Sequence, residues 1–345
     1  MPRLPPLPSA GELLRLYRLR ALKRLSQNFL LDPRLCSKLV RAAGQLRGTH
    51  VVEVGPGPGN LTRAVLEQGA ARVTAVEKDA RFLPALQALQ EVSGGALEVC
   101  LGDARTFNME RVFPACDGPW EGRPPNTHII GNLPFSVATP LTVRWLEDIS
   151  LRRNAWAAGR TRLTLTYQLE VAQRMAARPG HAQRCRLSLM CQNWCHVKHC
   201  FTIPGRAFVP PPDVSVGVVH LTPRAAPPVP LPFPLVEKVA RCLFAFRQKY
   251  CSRGAGTLFP TRVRDSLADK LFKVADVDPM LRPFQLTMAE FGRLCHTYNA
   301  ILDRHPTLAK YNHRDPATEV DEDWDDIIPP PPPAAAAAAT VSSSP

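Results

Sequence analysis

Five short β-branched or apolar runs recur along the first half of the chain, each closed by a turn or polar residue. They are THVVEVG (49–55), ARVTAVEKD (71–79), LEVCLGDA (97–104), THIIGNLP (127–134) and RTRLTLTYQ (160–168), with helical stretches at 60–69, 80–91 and 139–149 between several of them. That alternation constrains the fold more than any other feature. Two parallel strands need a crossover of a dozen or more residues, and a helix is the usual one. An open, doubly wound α/β sheet is therefore expected. Further strand is expected within 199–223 around a proline-rich loop, and the Pro-rich segment 223–234 reads as a linker. Residues 235–312 are mostly helical in pattern. The expected organisation is a basic arm over 1–24, a sheet domain over 25–222, a smaller helical domain over 223–316 and a tail over 317–345.

Charge narrows the partners. Lys and Arg outnumber Asp and Glu by 43 to 30, but six of the acids fall in residues 317–345, which hold no Lys or Arg, so residues 1–316 carry +19. Such a field favours polyanions, nucleic acid first and anionic membrane second. No run of 18 apolar residues occurs, so no membrane insertion is expected. Ten cysteines in a chain of 345 residues do not resemble a small secreted disulfide framework, and reduced thiols are the simpler assumption. Through Leu31 there are six basic residues (Arg3, Arg15, Arg18, Arg20, Lys23, Arg24) and one acid, Glu12. Arg-rich and acid-poor describes a mitochondrial transit peptide, cut before Gln27, and so a protein of the mitochondrial matrix. The alternative is a basic arm that stays on and touches nucleic acid. The tail carries acids, a run of five prolines and a run of six alanines, and is read as disordered.

The chemistry gathers at strand ends. EVGPGPGNLT (53–62) joins the first strand to its helix, with glycines at 55, 57 and 59 that let a ligand approach the backbone. Its spacing is G-x-G-x-G, not the dinucleotide G-x-G-x-x-G, and no G-K-[ST] follows to hold phosphates. A nucleoside cofactor without a pyrophosphate fits better. Glu77 ends the second strand, where an acid accepts hydrogen bonds from ribose hydroxyls. Asp103 ends the third. Taken alone, Glu77 is better read as a solvated carboxylate beside Lys78, and Asp103 as a helix cap or turn residue. Together they stand at successive carboxyl ends, the crevice where open α/β sheets bind ligands.

HIIGNLPF (128–135) ends the fourth strand over the same crevice. The Asn132 side-chain oxygen and the carbonyls near Pro134 are acceptors for an –NH₂ group. Phe135 offers a ring to stack on a flat base. That pairing suits the exocyclic amine of adenine. Carbonyls drawing on its hydrogens turn the nitrogen towards tetrahedral geometry and aim its lone pair at an electrophile.

In this order, QNFLLD (27–32), EVGPGPGNLT, Glu77, GDA (102–104), GNLPF (131–135) and FVPPP (208–212) resemble the rRNA adenine N6-dimethyltransferases. The resemblance covers roughly residues 20–310. It implies a Rossmann-like fold, S-adenosyl-L-methionine as cofactor, and two adjacent adenosines in a 3′-terminal hairpin loop of small-subunit rRNA as substrate. With the Arg-rich start, the partners implied are mitochondrial small-subunit rRNA and the assembling small ribosomal subunit. By motif, Gln27, Asn28 and Leu30 meet the methionine end of the cofactor, Gly55 and Gly57 line it, Glu77 with Lys78 holds the ribose, and Asp103 with Ala104 the adenine. Asn132 touches both cofactor and target amine, with Leu133 and Pro134 shaping that contact. Phe135 and Phe208 sandwich the flipped adenine, although by pattern alone Phe208 is as easily a core residue. Bacterial relatives in the family usually have tyrosine at the position of Phe135, so stacking survives but a hydroxyl is lost here.

Arg241, Arg247, Lys249 and Arg253 offer a phosphate-binding face on the helical domain, or a solvated helix surface. His181, Cys185, Cys191, Cys195, His196, His199 and Cys200 cluster in sequence, but 186–197 reads as strand. Residues four apart on a strand lie about 13 Å apart, too far to share an ion, so no metal is expected. The competing functional class is a nucleic-acid-binding factor without catalysis, in mitochondrial transcription initiation or ribosome assembly. A nicotinamide dehydrogenase is disfavoured by the glycine spacing.

Overall fold

The structure is a computed structural model that describes residues 8–16, 27–114 and 118–318. Most of the Arg-rich start and the tail from Glu319, on which the transit-peptide and tail readings rest, lie outside the described residues. The chain divides into two compact units, Met1–Pro230 and Leu231–Pro345.

The first unit runs α1 (Ala10–Leu16), β1 (Phe29–Leu30), α2 (Pro33–Ala42), β2 (His50–Val54), α3 (Asn60–Glu67), β3 (Arg72–Glu77), α4 (Leu83–Glu91), β4 (Leu97–Leu101), β5 (Thr127–Gly131) and α5 (Phe135–Ser150). It continues with β6 (Arg162–Gln168), α6 (Leu169–Ala176), α7 (Arg186–Trp194), β7 (Cys195–Ile203), β8 (Phe208–Val209) and β9 (Val216–Pro223). Seven strands form one sheet in the order β4-β3-β2-β5-β6-β9-β7, and β1 pairs separately with β8. The first five are mutually parallel, and β9 runs antiparallel to both β6 and β7. The fold is thus the expected Rossmann-like α/β sheet, with an antiparallel edge that the strand count alone did not specify.

Burial explains why β2 sits in the middle of the five parallel strands. Val51, Val52, Glu53 and Val54 are all buried, as a strand covered on both faces requires. Its neighbour β5 ends at Gly131 opposite Val54. A Cβ there would stand 2.6 Å from both the Val54 side chain and its carbonyl, so only glycine fits. The chain steps outward from β2 through β3 to β4, then restarts on the other side at β5. That reversal opens a crevice between β2 and β5 at their carboxyl ends.

Two local readings change. Residues 186–194 form α7 rather than strand: Ser188 at its start accepts and donates in a capping box with Cys185, and its inward face is apolar. The segment 223–230 is not a free linker, because the Asn193 amide grips Val229 through both its N–H (2.9 Å) and its carbonyl (3.1 Å). The unit boundary accordingly falls after Pro230.

The second unit holds α8 (Phe233–Leu243), α9 (Cys251–Ala255), α10 (Arg264–Ala275) and α11 (Met288–Arg304). Its core includes Val236, Leu243, Phe259, Leu271, Phe291 and Tyr298. α11 starts on a reciprocal cap, in which the Thr287 hydroxyl accepts from the Glu290 N–H and the Glu290 carboxylate accepts from the Thr287 N–H.

Candidate active site: a groove over the carboxyl ends of β2, β3, β4 and β5

Two adjoining hollows of ≈ 70 Å³ and ≈ 250 Å³ share Gln27, Gly55, Glu77 and Pro134 and together make one groove. Gln27, Asn28, Leu30, Gly57 and Asn132 line the smaller end; Lys78, Asp103, Ala104 and Leu133 line the larger. Every residue singled out from the sequence for the cofactor therefore reaches the groove.

The glycine turn makes room for it. Gly55, Gly57 and Gly59 take φ of 69°, 55° and 86°, a region that side-chain-bearing residues rarely occupy. A Cβ on Gly57 would sit 3.3 Å from the Phe29 ring, and one on Gly55 3.4 Å from the Leu133 side chain. Residues 27–31 close the groove from above. The Asn60 amide donates to the Leu30 and Leu31 carbonyls at 3.0 and 3.1 Å, and Phe29 meets Phe82 edge-on at 5.3 Å.

The acids are fixed before any ligand arrives. Glu77 accepts from the Gly57 N–H at 2.8 Å and from the Asp79 N–H at 2.7 Å, so it locks the turn as well as facing the groove. Burial pushes its pKa up, and those backbone bonds pull partly back. Asp103 is held well below the usual carboxylate range, by Arg105 first and by Lys78, which pairs with it at 2.9 Å. Lys78 thus serves Asp103 directly. Asp79 is pulled down to about 2, mainly by Arg81, with Gln27 donating to it at 2.9 Å.

Asn132 is clamped from both sides. Its amide nitrogen donates to the Asn28 carbonyl at 2.9 Å, and its Oδ1 accepts from the Thr166 hydroxyl at 2.7 Å. Because Asn28 offers only an acceptor there, the orientation of the amide is determined. Oδ1 keeps a second lone pair. The neighbouring acceptors differ from the sequence reading, because the Pro134 carbonyl already receives the Val137 and Ala138 N–H groups at the start of α5.

The aromatic pair also differs. Phe208 is 2 % exposed, lies opposite Leu30 in the β1–β8 pair, and belongs to the core cluster that includes Leu30 and Ile203. Phe135 is half-buried against the same cluster. Neither lines the groove, and the alternative of Phe208 as a core residue is the one the structure adopts.

Sequence reading passed over Glu53. It is fully buried in β2, lines the smaller hollow, and neither carboxyl oxygen has a hydrogen-bond partner among the described residues. Burial pushes its pKa up to about 8; the nearby Thr62 hydroxyl and N–H pull partly back, although they stand outside hydrogen-bonding geometry to the carboxyl. Its signal was a lone acid inside a β-branched strand. Thr166, the inward hydroxyl that holds Asn132, was missed for the opposite reason: threonine in an alternating strand raises no flag.

The suspected metal residues do not assemble. Cys191 is helical, so strand spacing does not hold these residues apart, but Cys191 and Cys195 are fully buried with thiols pushed far up by burial. Among the described residues no three metal-ligating side chains come together. No described helix is long and apolar enough to cross a membrane.

A glycine cradle at the switch point of an open α/β sheet, with acids on successive strand ends and a clamped amide opposite, is the arrangement in which such folds bind small ligands. The chain belongs to the ribosomal RNA adenine dimethylase family, whose model matches residues 18–290. It is 53% identical to "Dimethyladenosine transferase 1, mitochondrial" of Xenopus laevis and 52% identical to the Homo sapiens protein of that name, in both cases over 91% of each chain. The Drosophila melanogaster protein of that name is 46% identical over 91% of this chain and 94% of its own. Among solved structures, a dimethyladenosine transferase from Plasmodium falciparum aligns with a TM-score of 0.61 at 21% identity, over 78% of this chain and 96% of that one. The 23S rRNA methyltransferase ErmE aligns with a TM-score of 0.55 at 22% identity, over 78% of this chain and 98% of its own. Those two likenesses speak for the fold.

Proposed function

We propose that the chain is an S-adenosyl-L-methionine-dependent rRNA (adenine-N6,N6)-dimethyltransferase. It acts in the mitochondrial matrix on two adjacent adenosines in the 3′-terminal hairpin loop of small-subunit rRNA, as the small ribosomal subunit assembles. The observation that carries this reading is the Asn132 amide, held by Asn28 and Thr166 with one lone pair left over the groove.

The groove fits the cofactor by its own chemistry. A buried, unpartnered carboxyl at Glu53 is costly unless a cation answers it, and the amino-acid end of S-adenosylmethionine carries an ammonium. Gln27, Asn28 and Leu30 cover that end. Glu77 retains lone pairs for ribose hydroxyls, and Asp103 with Ala104 bounds the larger hollow, where adenine belongs. When bound, the cofactor supplies a methyl already activated on a sulfonium.

The chain's task is then positioning. Asn132 Oδ1 accepts one hydrogen of the target amine, and the Leu133 carbonyl takes the second place that Pro134 cannot fill. Two acceptors on one –NH₂ group direct its lone pair into the groove, which is the orientation a direct displacement needs. No base is required first, because a nitrogen that has gained a methyl is cationic and sheds its proton to water. Residues 27–31 restrict water at the methionine end.

The test uses purified chain, labelled S-adenosylmethionine and a short mitochondrial small-subunit rRNA hairpin, with products mapped by reverse-transcription stops. Label on two neighbouring loop adenosines, absent with Asn132→Ala, is the expected result. A chain that binds cofactor and hairpin but transfers no methyl would make it a binding factor on an inherited scaffold.

A further inference from the structure

The helical unit carries a second hollow, of ≈ 630 Å³, lined by Phe246, Lys249, Tyr250, Arg253 and Arg282 among others. Its lining has three cations and no acid. Arg241, grouped with these cations in the sequence, instead pairs with Glu237 at 3.6 Å on α8.

Its aromatic residues are the unusual part. Phe246 is 40 % and Tyr250 48 % exposed, whereas Phe259, Phe272, Phe291 and Tyr298 in the same unit are buried. Two large rings left in water on one rim mark a contact surface more than scattered exposure does. The Arg253 guanidinium lies 5.9 Å from the Phe246 ring centroid, which joins cation and aromatic into one edge. The backbone on either side of Tyr250 is tied down. Lys249 N–H donates to the Phe246 carbonyl at 2.8 Å, Arg253 N–H to the Tyr250 carbonyl at 3.1 Å, and Cys251 N–H to the Leu281 carbonyl at 2.7 Å. Cys251 itself is buried, so Tyr250 stands on an anchored turn.

Positive charge alone would suit any nucleic acid. Exposed rings set among cations suit a strand whose bases are unpaired, because a duplex hides its base faces in the stack. We propose that this hollow is a second nucleotide subsite. It takes one unpaired, non-target nucleotide of the RNA, with the base stacked on Tyr250 and the phosphates beside Lys249, Arg253 and Arg282. The inference rests on the RNA-methylating reading above for the identity of the strand.

The experiment scans the hairpin with single abasic nucleotides at every non-target loop and flanking position, and measures binding to the full chain at fixed salt. Tyr250→Ala is expected to weaken the intact hairpin roughly tenfold, the usual scale of one lost base stack. One abasic position should weaken the wild-type chain similarly and add nothing to Tyr250→Ala. Tyr250→Phe should bind as wild type, which a hydroxyl-dependent role would not allow. Unchanged S-adenosylmethionine binding by Tyr250→Ala reports that the sheet unit is folded, and an unchanged helical circular-dichroism signal and melting profile report the same for the helical unit.

The subsite is overturned if Tyr250→Ala binds like wild type, if the Phe variant is as weak as Ala, or if the abasic losses persist undiminished in Tyr250→Ala. Equal, Tyr250-dependent binding of a fully paired hairpin also overturns it. A wild-type chain that binds no RNA overturns both readings. One that shows the Tyr250 coupling but transfers no methyl overturns only the earlier reading.

Discussion

The groove in the sheet unit and the hollow in the helical unit are assembled in opposite ways. The groove is closed by side-chain hydrogen bonds between distant parts of the chain: Asn132 to Asn28 across 104 positions, Gln27 to Asp79 across 52, and Gly57 to Glu77 across 20. Its polar groups are fixed in advance. The hollow comes mostly from one stretch, 246–253, whose backbone is tied down while its rings and cations stay in water. The first arrangement suits selecting and aligning one small molecule and one amine. The second suits a flexible polyanion, for which charge and a flat face are enough. A groove variant should therefore move chemistry or cofactor affinity, and a hollow variant RNA affinity.

The largest effect expected is on Asn132. Asn132→Ala should lower kcat by on the order of 10²–10³, the cost of losing one preorganised hydrogen-bond partner of the reacting group. RNA affinity should stay within about twofold. A parallel loss of RNA binding would break the division between the two sites. Conversely, Thr166→Val, which removes the hydroxyl that holds Oδ1, should lower kcat less, by about tenfold, since the amide loses one of its two restraints.

Next comes Glu77. Glu77→Ala leaves the Gly57 and Asp79 N–H groups without their acceptor, at a cost of about 1–3 kcal/mol. Cofactor affinity should fall by roughly one to two orders of magnitude, because the turn loosens and the acceptor for the ribose is lost together. Calorimetric titration with S-adenosylmethionine checks this. A variant that binds cofactor normally would remove Glu77 from the groove's preorganisation.

Glu53 supplies a pH signature. Its folded-state pKa of about 8 stands above the ordinary 4.5, so the folded chain keeps a proton that the unfolded chain releases. The stability this group contributes is present below pH 4.5 and is lost as pH rises through about 8. Between those limits Glu53→Gln should flatten the fall, read as a smaller drop in urea midpoint from pH 5 to pH 8 than the wild-type chain shows. An ammonium bound beside the carboxyl reverses the preference. Cofactor binding at pH 7 should release a proton in wild type and less in Glu53→Gln, measured by calorimetry in buffers of different ionisation enthalpy. Equal proton release in both would place the ammonium elsewhere.

Legibility follows the same divide. The sheet was readable because β-branched runs and helical periodicity report burial: 49–55, 71–79 and 127–134 fall on the buried strands β2, β3 and β5, while 97–104 falls on β4 at the sheet edge, where only Leu97 is buried. Gly55, Glu77, Asp103 and Asn132 were readable as neighbours because parallel strands deliver their carboxyl ends to one edge. Three things were hidden. Arg186–Trp194 read as strand because a short mixed run has no decisive period, whereas its buried face packs as a helix against α5 and α6. Phe208 looked available to a base until its pairing with Leu30 placed it in the core. Tyr250 and Phe246 drew no notice, because sequence does not distinguish an aromatic residue left in water from one that completes a helical core.

The smallest effect gives the finest test of the comparison. Each phosphate neutralised on a single strand contributes about 0.7 to the slope of log affinity against log salt. Lys249→Gln should reduce that slope by about this amount and weaken binding several-fold at low salt, with the difference shrinking as salt rises. Tyr250→Ala should weaken binding without altering the slope, since a stacked ring neutralises no phosphate. Arg241→Gln should leave the slope nearly unchanged, because Arg241 faces Glu237 rather than the hollow. If Arg241→Gln reduced the slope as much as Lys249→Gln, the cations would act as one diffuse field. The hollow would then be a basic surface with two exposed rings on it, and its contrast with the groove would lie in charge alone.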